Sequence, residues 1–549
     1  MSKVVLLAVN AKYVHTSLAV RVIAAGINKY ARVPHDVEII EVPVQHISGR
    51  GDEIADTIAG HRPDVIGIST YIWNAGVLPD LIKSLRERLP DTIFVLGGPE
   101  VSYNAAYWLE RGADYVLPGE GEYSFPPLLD VLSDAKTASG HSCKPAIPPP
   151  VRPDGPVDPY QCSGTGDVYG SAGSRDRILY VETSRGCPFK CSFCLSAGCA
   201  VRFFPIDVAK EWIRKLSRSG ARTIKLVDRT FNCDAKRAYE LFEYVIGLET
   251  SCCFHFEVAA DLFDERTISL LSSATPGRIQ LEAGLQSFYK PALEVSSRYM
   301  DMEKAARNIM ALVIARNIHI HVDLIAGLPY ETLIDFQDSF DRAYALGAHT
   351  LQLGFLKLLH GSQLRCKAEE FGIRYSEEPP YEIECSPWLS PEDIQILKYA
   401  ENSLQHTVNK GRFLNALDYV LSASGLRPFF LFQMIGRAFP NHGTQLDSYA
   451  KHIYGLCSGI PGVSPDILCD RMTVDWLGMV KGKNMPGFMK NYNGRQRQAA
   501  DAAKKQLGRG VNRCEAVVLR SGAGAFVDSG DRDPVTGLYR VYPTVPGTL

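Results

Sequence analysis

The sequence predicts an α/β chain in three parts: a doubly wound parallel sheet at the amino end, a partial (β/α)6 barrel in the middle, and a mostly helical carboxyl-terminal region. Three observations lead there. Short apolar runs alternate with helix-length amphipathic stretches over the first part, the alternation restarts at Arg177 and runs through six units, and beyond about residue 357 the apolar spacing turns helical. The expected domains are 1–134, 177–357 and 358–549, with a Pro/Gly/Ser-rich linker at 135–176. A chain of 549 residues is too long for one core.

In the first part the strand candidates are Val4–Val9, Val37–Val42, Val65–Ser69, Ile93–Leu96 and Tyr115–Leu117, with helices such as Leu18–Tyr30 and Leu78–Leu89 between them. In doubly wound sheets the ligand sits beyond the carboxyl ends of the strands. The informative residues are therefore Asn10 to His15, then Ser69, Thr70 and Tyr71, then Gly97, Gly98, Pro99 and Glu100, and finally Gly119, Glu120, Gly121 and Glu122. Glycines there admit a ligand close to the backbone and hydroxyls can bond it, though tight strand–helix turns would use the same residues. The G-x-G-x-x-G of a dinucleotide fold is absent after the first strand.

In the second part the strand candidates are Ile178–Glu182, Thr223–Val227, Phe254–Ala259, Ile279–Gly284, His319–Ile325 and Thr350–Phe355. The intervening helices include Val208–Ser219, Ala235–Leu248, Met302–Arg316 and Leu333–Leu346. Active residues of such a barrel belong at the strand carboxyl ends. In the third part Ser390-Pro391 starts a capped helix, Ile394–Val408, Leu414–Ser424, Phe429–Phe439 and Arg495–Gln506 read as helices, and Ala516–Leu519 with Leu538–Val541 reads as a small hairpin. Tyr381, Trp388, Arg412, Tyr419 and Arg427 are possible substrate liners or ordinary core and surface.

The formal net charge of −2 and the lack of like-charge runs argue against a nucleic-acid or anionic-membrane partner. No apolar run reaches the roughly 20 residues that span a bilayer. The amino terminus reads as a first strand rather than a signal. Of the fourteen cysteines, the eleven outside the stretch 187–194, Cys143, Cys162, Cys252, Cys253 and Cys457 among them, scatter without framework spacing and fit a reducing, cytoplasmic setting.

The most specific stretch is Glu182-Thr-Ser-Arg-Gly-Cys187-Pro-Phe-Lys-Cys191-Ser-Phe-Cys194. Three thiolates on one loop after a strand suit an iron–sulfur cluster with one iron left open. The alternatives are a structural zinc site, for which no second C-x2-C pair or H-x3-H partner appears, and three unrelated core cysteines. Cys199 reads as a loop cysteine rather than a fourth ligand.

This stretch resembles the signature of radical S-adenosylmethionine (SAM) enzymes. The resemblance implies that Cys187, Cys191 and Cys194 hold a [4Fe-4S] cluster whose open iron binds SAM, and that Phe193 packs near the adenine. It also implies reductive cleavage of SAM to a 5′-deoxyadenosyl radical, with electrons from an external flavodoxin- or ferredoxin-type donor. Glu257, Gln286, Arg298 and Asp323 stand where the oxygen-independent coproporphyrinogen oxidase branch contacts SAM, although any one of them could instead form a structural ion pair. Asp228 to Asn232 also looks typical of the family.

The strand-end motifs before this signature resemble the Rossmann-like cobalamin-binding domain of cobalamin-dependent radical SAM enzymes. Ser69, Thr70, Tyr71, Gly97, Gly98, Gly119 and Glu120 are then the expected cobalamin contacts. The D-x-H-x-x-G motif of methionine-synthase-like proteins is missing: Tyr13 stands at its aspartate position and Leu18 at its glycine position, so His15 reads as a helix-start histidine. Tyr71 and Trp73 either line the lower corrin face or pack under the sheet. The carboxyl-terminal part resembles an uncharacterised module found with such proteins. The implied activity is methyl transfer to a carbon of a small biosynthetic substrate. Cyclisation, oxidation or rearrangement with the same cofactors, and a cobalamin carrier or sensor, are the other readings.

Overall fold

The computed structural model describes residues 2–137, 145–153, 155–161, 172–439, 445–480, 485–490 and 514–543. It divides into two compact units, Met1–Glu257 with Ser296–Arg298 and Leu356–Glu384, and Val258–Val295 with Tyr299–Phe355 and Cys385–Leu549. The expected helix Arg495–Gln506, Cys143 and Cys162 lie outside the described residues.

The first unit opens with β1 (Lys3–Asn10), α1 (Leu18–Tyr30), β2 (Asp36–Pro43), α2 (Val44–Gly60), β3 (Val65–Ser69), α3 (Leu78–Arg88), β4 (Ile93–Gly97), α4 (Ala105–Glu110), β5 (Tyr115–Leu117) and α5 (Gly121–Thr137). The sheet order is β2-β1-β3-β4-β5, all parallel. Because successive strand residues face opposite ways, β1 is buried on both sides. Val5, Leu7 and Val9 pack with Leu81, Ile82 and Leu85 of α3, while Val4, Leu6 and Ala8 pack with Val20 and Ala24 of α1 and Leu128 of α5. The strand order reverses direction between β1 and β3, the point where such sheets leave a crevice for a ligand.

The described part of the expected linker is a strap fastened to this domain. Val151 N–H donates to Tyr123 O, the Tyr123 hydroxyl donates to Gly155 O, and Val157 is buried beside Val22 and Ala25.

The second sheet begins in the same unit with β6 (Ile178–Val181). A short antiparallel pair, β7 (Ser184–Arg185) with β8 (Arg202–Phe203), precedes α6 (Ile206–Ser217), β9 (Thr223–Leu226), α7 (Ala235–Ile246) and β10 (Cys253–Val258). β6, β9 and β10 are parallel neighbours. The second unit continues with α8 (Glu265–Ser272), β11 (Ile279–Gln286), α9 (Lys290–Val295), α10 (Met302–Ala315), β12 (His319–Ala326), α11 (Leu333–Ala345) and β13 (Thr350–Phe355), the three strands again parallel. Within each unit sheet order follows chain order, β6-β9-β10 in the first and β11-β12-β13 in the second, as expected of successive βα units. Along β11 and β12 the apolar residues are buried on one face and the polar ones, Glu282, His321 and Asp323 among them, are half-buried on the other.

After α12 (Gln363–Cys366) and the short strands β14 (Arg374–Tyr375) and β15 (Ile383–Cys385) come the helices α13 (Pro391–His406), α14 (Leu414–Ser424), α15 (Pro428–Ala438), α16 (Leu446–Cys457) and α17 (Pro465–Met479). Ser390 caps α13 reciprocally with Asp393, as its sequence predicts. Gly436 lets α15 meet α13 backbone to backbone, since a Cβ there would lie 1.7 Å from Tyr399 O. α16 and α17 are not among the helices the sequence predicts. In α17 the cause is burial around most of the helix, which blurs its apolar stripe. The expected carboxyl-terminal hairpin is corrected to three strands, β16 (Cys514–Val518), β17 (Gly524–Arg532) and β18 (Tyr539–Pro543), with β17 inserted between the two segments that were expected to pair.

Candidate functional site

The cysteine loop is closed at its root by its own backbone. β7 and β8 pair Ser184 with Phe203 and Arg185 with Arg202, and Cys187 N–H donates to Cys199 O at 3.0 Å. Gly186 is required there: its φ is +92°, and a Cβ would stand 2.3 Å from Ala200 O. Within the loop Cys194 N–H donates to Cys191 O at 3.0 Å and Gly198 N–H to Phe189 O at 2.7 Å. Cys187 and Cys191 are buried, while Cys194 and Phe193 are half-buried. Burial pushes the Cys194 thiol up, and the Cys191 and Cys187 sulfurs push in the same direction. The Cys199 sulfur is exposed and turned to Ala197 O, which agrees with its reading as a loop cysteine.

Neighbouring loops, one after β9 and one after α9, brace this loop. Arg298 Nη1 donates to Cys191 Sγ at 3.4 Å, Thr230 Oγ1 lies 3.5 Å from Cys187 Sγ, and Ser192 N–H donates to Ser296 O at 2.9 Å. Asp228 is buried at the end of β9 and accepts from Thr183 N–H, Thr183 Oγ1 and Ser184 Oγ. It fixes the chain leading into the cysteines, so its carboxylate is committed to the fold. Glu257 is paired with Lys225 at 3.0 Å.

In the second unit, Gln286 ends β11 with φ +71° at a register shift, and its amide oxygen is buried without a hydrogen-bond partner among the described residues. Strain of this kind in a residue with a Cβ clusters at ligand sites. Asp323 faces His321 Nε2 at 2.9 Å, and Glu282, His321 and Asp323 place one ligand-type atom each within 4.8 Å of one another. Among the expected liners, Arg427 pairs with Asp338 and Asp341, and the Tyr419 hydroxyl accepts from Ser464 N–H, so both are tied into the scaffold.

At the strand ends of the first sheet, Ser69 Oγ reaches Leu7 O at 3.5 Å, and Thr70 N–H donates to Gly97 O at 2.7 Å. The Thr70 hydroxyl is buried without a hydrogen-bond partner among the described residues. Gly98, at φ +113°, leaves the backbone of Thr70 uncovered, where a Cβ would lie 2.4 Å from Thr70 O. Gly119, at φ +81°, borders open space. Tyr71 stacks on Trp73 with centroids 4.2 Å apart, and burial pushes its hydroxyl up. Asn74, fully buried, donates to both Val9 O and Ser69 O and ties β1 to β3 at the crevice.

Two of these strand-end loops find partners elsewhere in the fold. Glu120 is ion-paired with Arg202 at 2.6 Å and Arg185 at 3.2 Å, and Glu122 with Arg185 at 2.5 Å. The G-E-G-E loop therefore holds the roots of the cysteine loop, a role only Arg185 in E-T-S-R-G-C could have signalled. The loop after β1 docks onto β6: His15 forms a parallel bridge with Ile178, its Nδ1 lies 2.6 Å from the Tyr180 hydroxyl, and Arg177 donates to His15 O at 2.8 Å. Its backbone and ring are thus engaged with the strand, in keeping with a histidine that is no cobalt ligand.

The donor sets fit the implied cofactors. Three cysteines on one backbone-closed loop, with a guanidinium beside one of them, suit a cluster with an open iron. The crevice of the first sheet offers an orphaned hydroxyl at Thr70 and a glycine cradle at Gly98.

Comparison with known families agrees with both. Residues 4–129 match the B12 binding domain, residues 181–343 the radical SAM superfamily, and residues 369–516 a family described as a protein of unknown function (DUF4080). The chain therefore joins a B12-binding domain to a radical SAM domain, and it is homologous to cobalamin-dependent radical SAM methyltransferases and to magnesium-protoporphyrin cyclases. It is 27% identical over 352 residues to the cobalamin-dependent radical SAM methyltransferase TokK of Streptomyces tokunonensis, covering 59% of this chain and 51% of TokK. It is 25% identical over 246 residues to the anaerobic magnesium-protoporphyrin IX monomethyl ester cyclase of Synechocystis sp., covering 41% of this chain and 48% of the cyclase. The chain thus spans about half the length of these relatives. The structure of the radical SAM methyltransferase TsrM from Kitasatospora setae, with cobalamin and a [4Fe-4S] cluster bound, shares the fold at TM-score 0.53 and 18% identity, covering 69% of this chain and 79% of that one. No helix among the described residues is long and apolar enough to cross a membrane.

Proposed function

We propose that this protein is a cobalamin-dependent radical SAM enzyme that transfers a methyl group to a carbon of a small biosynthetic substrate. The observation that carries the proposal is the braced Cys187, Cys191, Cys194 loop, with Arg298 at Cys191, in a chain that also carries a B12-binding domain. When bound, the cluster supplies the electron that cleaves SAM, and cobalamin supplies a methyl carrier.

The chain's own contribution is binding and placement. Cys187, Cys191 and Cys194 would hold the cluster. The Arg298 guanidinium supplies a donor for a sulfur ligand and a positive charge for the SAM carboxylate. Gln286, with its unpartnered amide oxygen, Glu257 and Asp323 would accept hydrogen bonds from the amine and ribose of SAM, and Phe193 would cover its adenine. Thr70, Gly97, Gly98 and Gly119, with Ser69 and Tyr71 beside them, would take cobalamin, while Glu120 acts through its arginine pairs. The domains of this reading are 1–134 for cobalamin, 177–357 for the radical SAM barrel and 358–549 as the substrate cap, with 135–176 as the linker. A flavodoxin- or ferredoxin-type donor in the cytoplasm would supply electrons.

The test uses anaerobically reconstituted protein with cobalamin, SAM and a low-potential reductant, and measures S-adenosylhomocysteine and 5′-deoxyadenosine. Formation of both is expected. The similarity to the Synechocystis cyclase supports a second reading, cyclisation. In that case 5′-deoxyadenosine appears without S-adenosylhomocysteine although cobalamin is bound.

A further inference from the structure

The segment Leu356–Glu384 belongs to the first unit although it follows the last barrel strand, and it runs into the region that matches the family of unknown function. Two of its residues reach separate parts of the site. Tyr381, buried, donates its hydroxyl to the carboxylate of Glu100, buried in the G-G-P-E loop after β4. Leu364 N–H donates at 2.8 Å to the carbonyl of Ser192, which stands between Cys191 and Phe193.

The two contacts are joined through one arginine. Arg365 is next to Leu364, places its guanidinium 5.0 Å from the centroid of the Tyr381 ring, and donates through Nη1 to Leu358 O at 2.5 Å. Leu358 N–H in turn donates to Tyr381 O at 2.9 Å. Beside them Gly361, at φ +88°, lies so close to Tyr103 of the β4 loop that a Cβ would meet its ring at 2.3 Å. Tyr381 itself has φ +57°, a conformation costly for a residue with a Cβ, so the surrounding structure holds it in place.

We propose that Leu356–Glu384 is a clasp fixing the loop after β4 to the cysteine loop, with Tyr381, Glu100 and Leu364 as positioning residues. The inference rests on the functional reading above, because its consequence is that the cobalamin crevice and the cluster loop are held at one fixed separation. A buried carboxylate that loses its hydroxyl donor is left uncompensated, so the contact acts as a lock.

The experiment is hydrogen–deuterium exchange on the full reconstituted chain, with iron content and melting temperature measured alongside. Tyr381→Phe is expected to speed exchange roughly tenfold or more in the peptide covering Gly97–Asn104. It is also expected to speed exchange in the peptide covering Cys187–Cys199. Gly361→Ala, which wedges the clasp from its other side, should give the same paired signature. Glu100→Gln keeps an acceptor for Tyr381 and should leave both peptides as in the parent. The double variant Tyr381→Phe with Glu100→Met removes the stranded carboxylate, so melting temperature should recover while the cysteine peptide stays fast. The proposal is overturned if only the Gly97–Asn104 peptide responds, or if the cysteine peptide recovers together with stability. None of these readouts needs turnover, so failure of the methyltransferase reading would leave them unchanged.

Discussion

The cysteine loop and the strand ends of the amino-terminal sheet are built on opposite plans. The first is one contiguous segment, closed by the β7–β8 pair and by Cys187 N–H on Cys199 O, with its three sulfurs inside eight residues. The second is assembled from four loops, and much of its polar chemistry is claimed by partners from elsewhere: Glu120 by Arg202, Glu100 by Tyr381, His15 by β6. A site built from one segment announces its ligand through spacing. An assembled site announces only where a ligand can come, and its contacts decide which side chains remain available.

The largest effect expected tests that independence. Cys191→Ala should abolish iron retention and 5′-deoxyadenosine formation while cobalamin stays bound at one per chain or near it; joint loss of cobalamin in the absorption spectrum would break the contrast. The converse variant is Gly98→Ala. Backbone strain of about 1–3 kcal/mol and the clash with Thr70 O should loosen cobalamin some 10- to 100-fold while iron content holds, read by equilibrium dialysis and iron assay.

Asp228→Asn asks how far the cysteine loop depends on its buried brace. An amide donor would face Thr183 N–H, costing about 2–3 kcal/mol in a denaturant melt and lowering iron occupancy. An unchanged melt would mean that the β7–β8 pair suffices.

Glu331, outside both regions, supplies a stability control. It accepts from Ser287 and Ser339, and burial pushes its carboxyl up to about 8 from 4.5. Folded protein then binds more protons than unfolded between those values. The Glu331 contribution to stability is greatest below about pH 4.5 and is lost as pH rises toward 8. Glu331→Gln should flatten that dependence; persistence of the slope in urea melts across this range would assign it to other groups.

The smallest effect belongs to His15→Ala. Loss of its contact with the Tyr180 hydroxyl should cost about 1 kcal/mol or less, with the spectrum of bound cobalamin unaltered. A spectral change would make His15 a ligand and erase the difference between a docking loop and a binding loop.

Much of the architecture was legible from the chain. All eleven expected strands of the two parallel sheets are present, and Leu18–Tyr30, Val65–Ser69 and Leu414–Ser424 have the expected ends. Alternating burial on a sheet and a capped apolar stripe on a helix leave local patterns. The same locality made the cysteine triad readable, because one loop sets its spacing.

Tertiary structure alone decided what the strand ends do. Glu120 and Arg202 lie 82 residues apart, Asp228 and Thr183 lie 45 apart, and Glu100 and Tyr381 lie 281 apart. A carboxylate has the same sequence signature whether it awaits a ligand or holds a distant arginine, threonine or tyrosine. For Asp228 and Glu100 burial makes the partner obligatory, since a polar group removed from water must be paired within the fold, whereas the more exposed Glu120 is paired only because the folded chain brings Arg202 beside it.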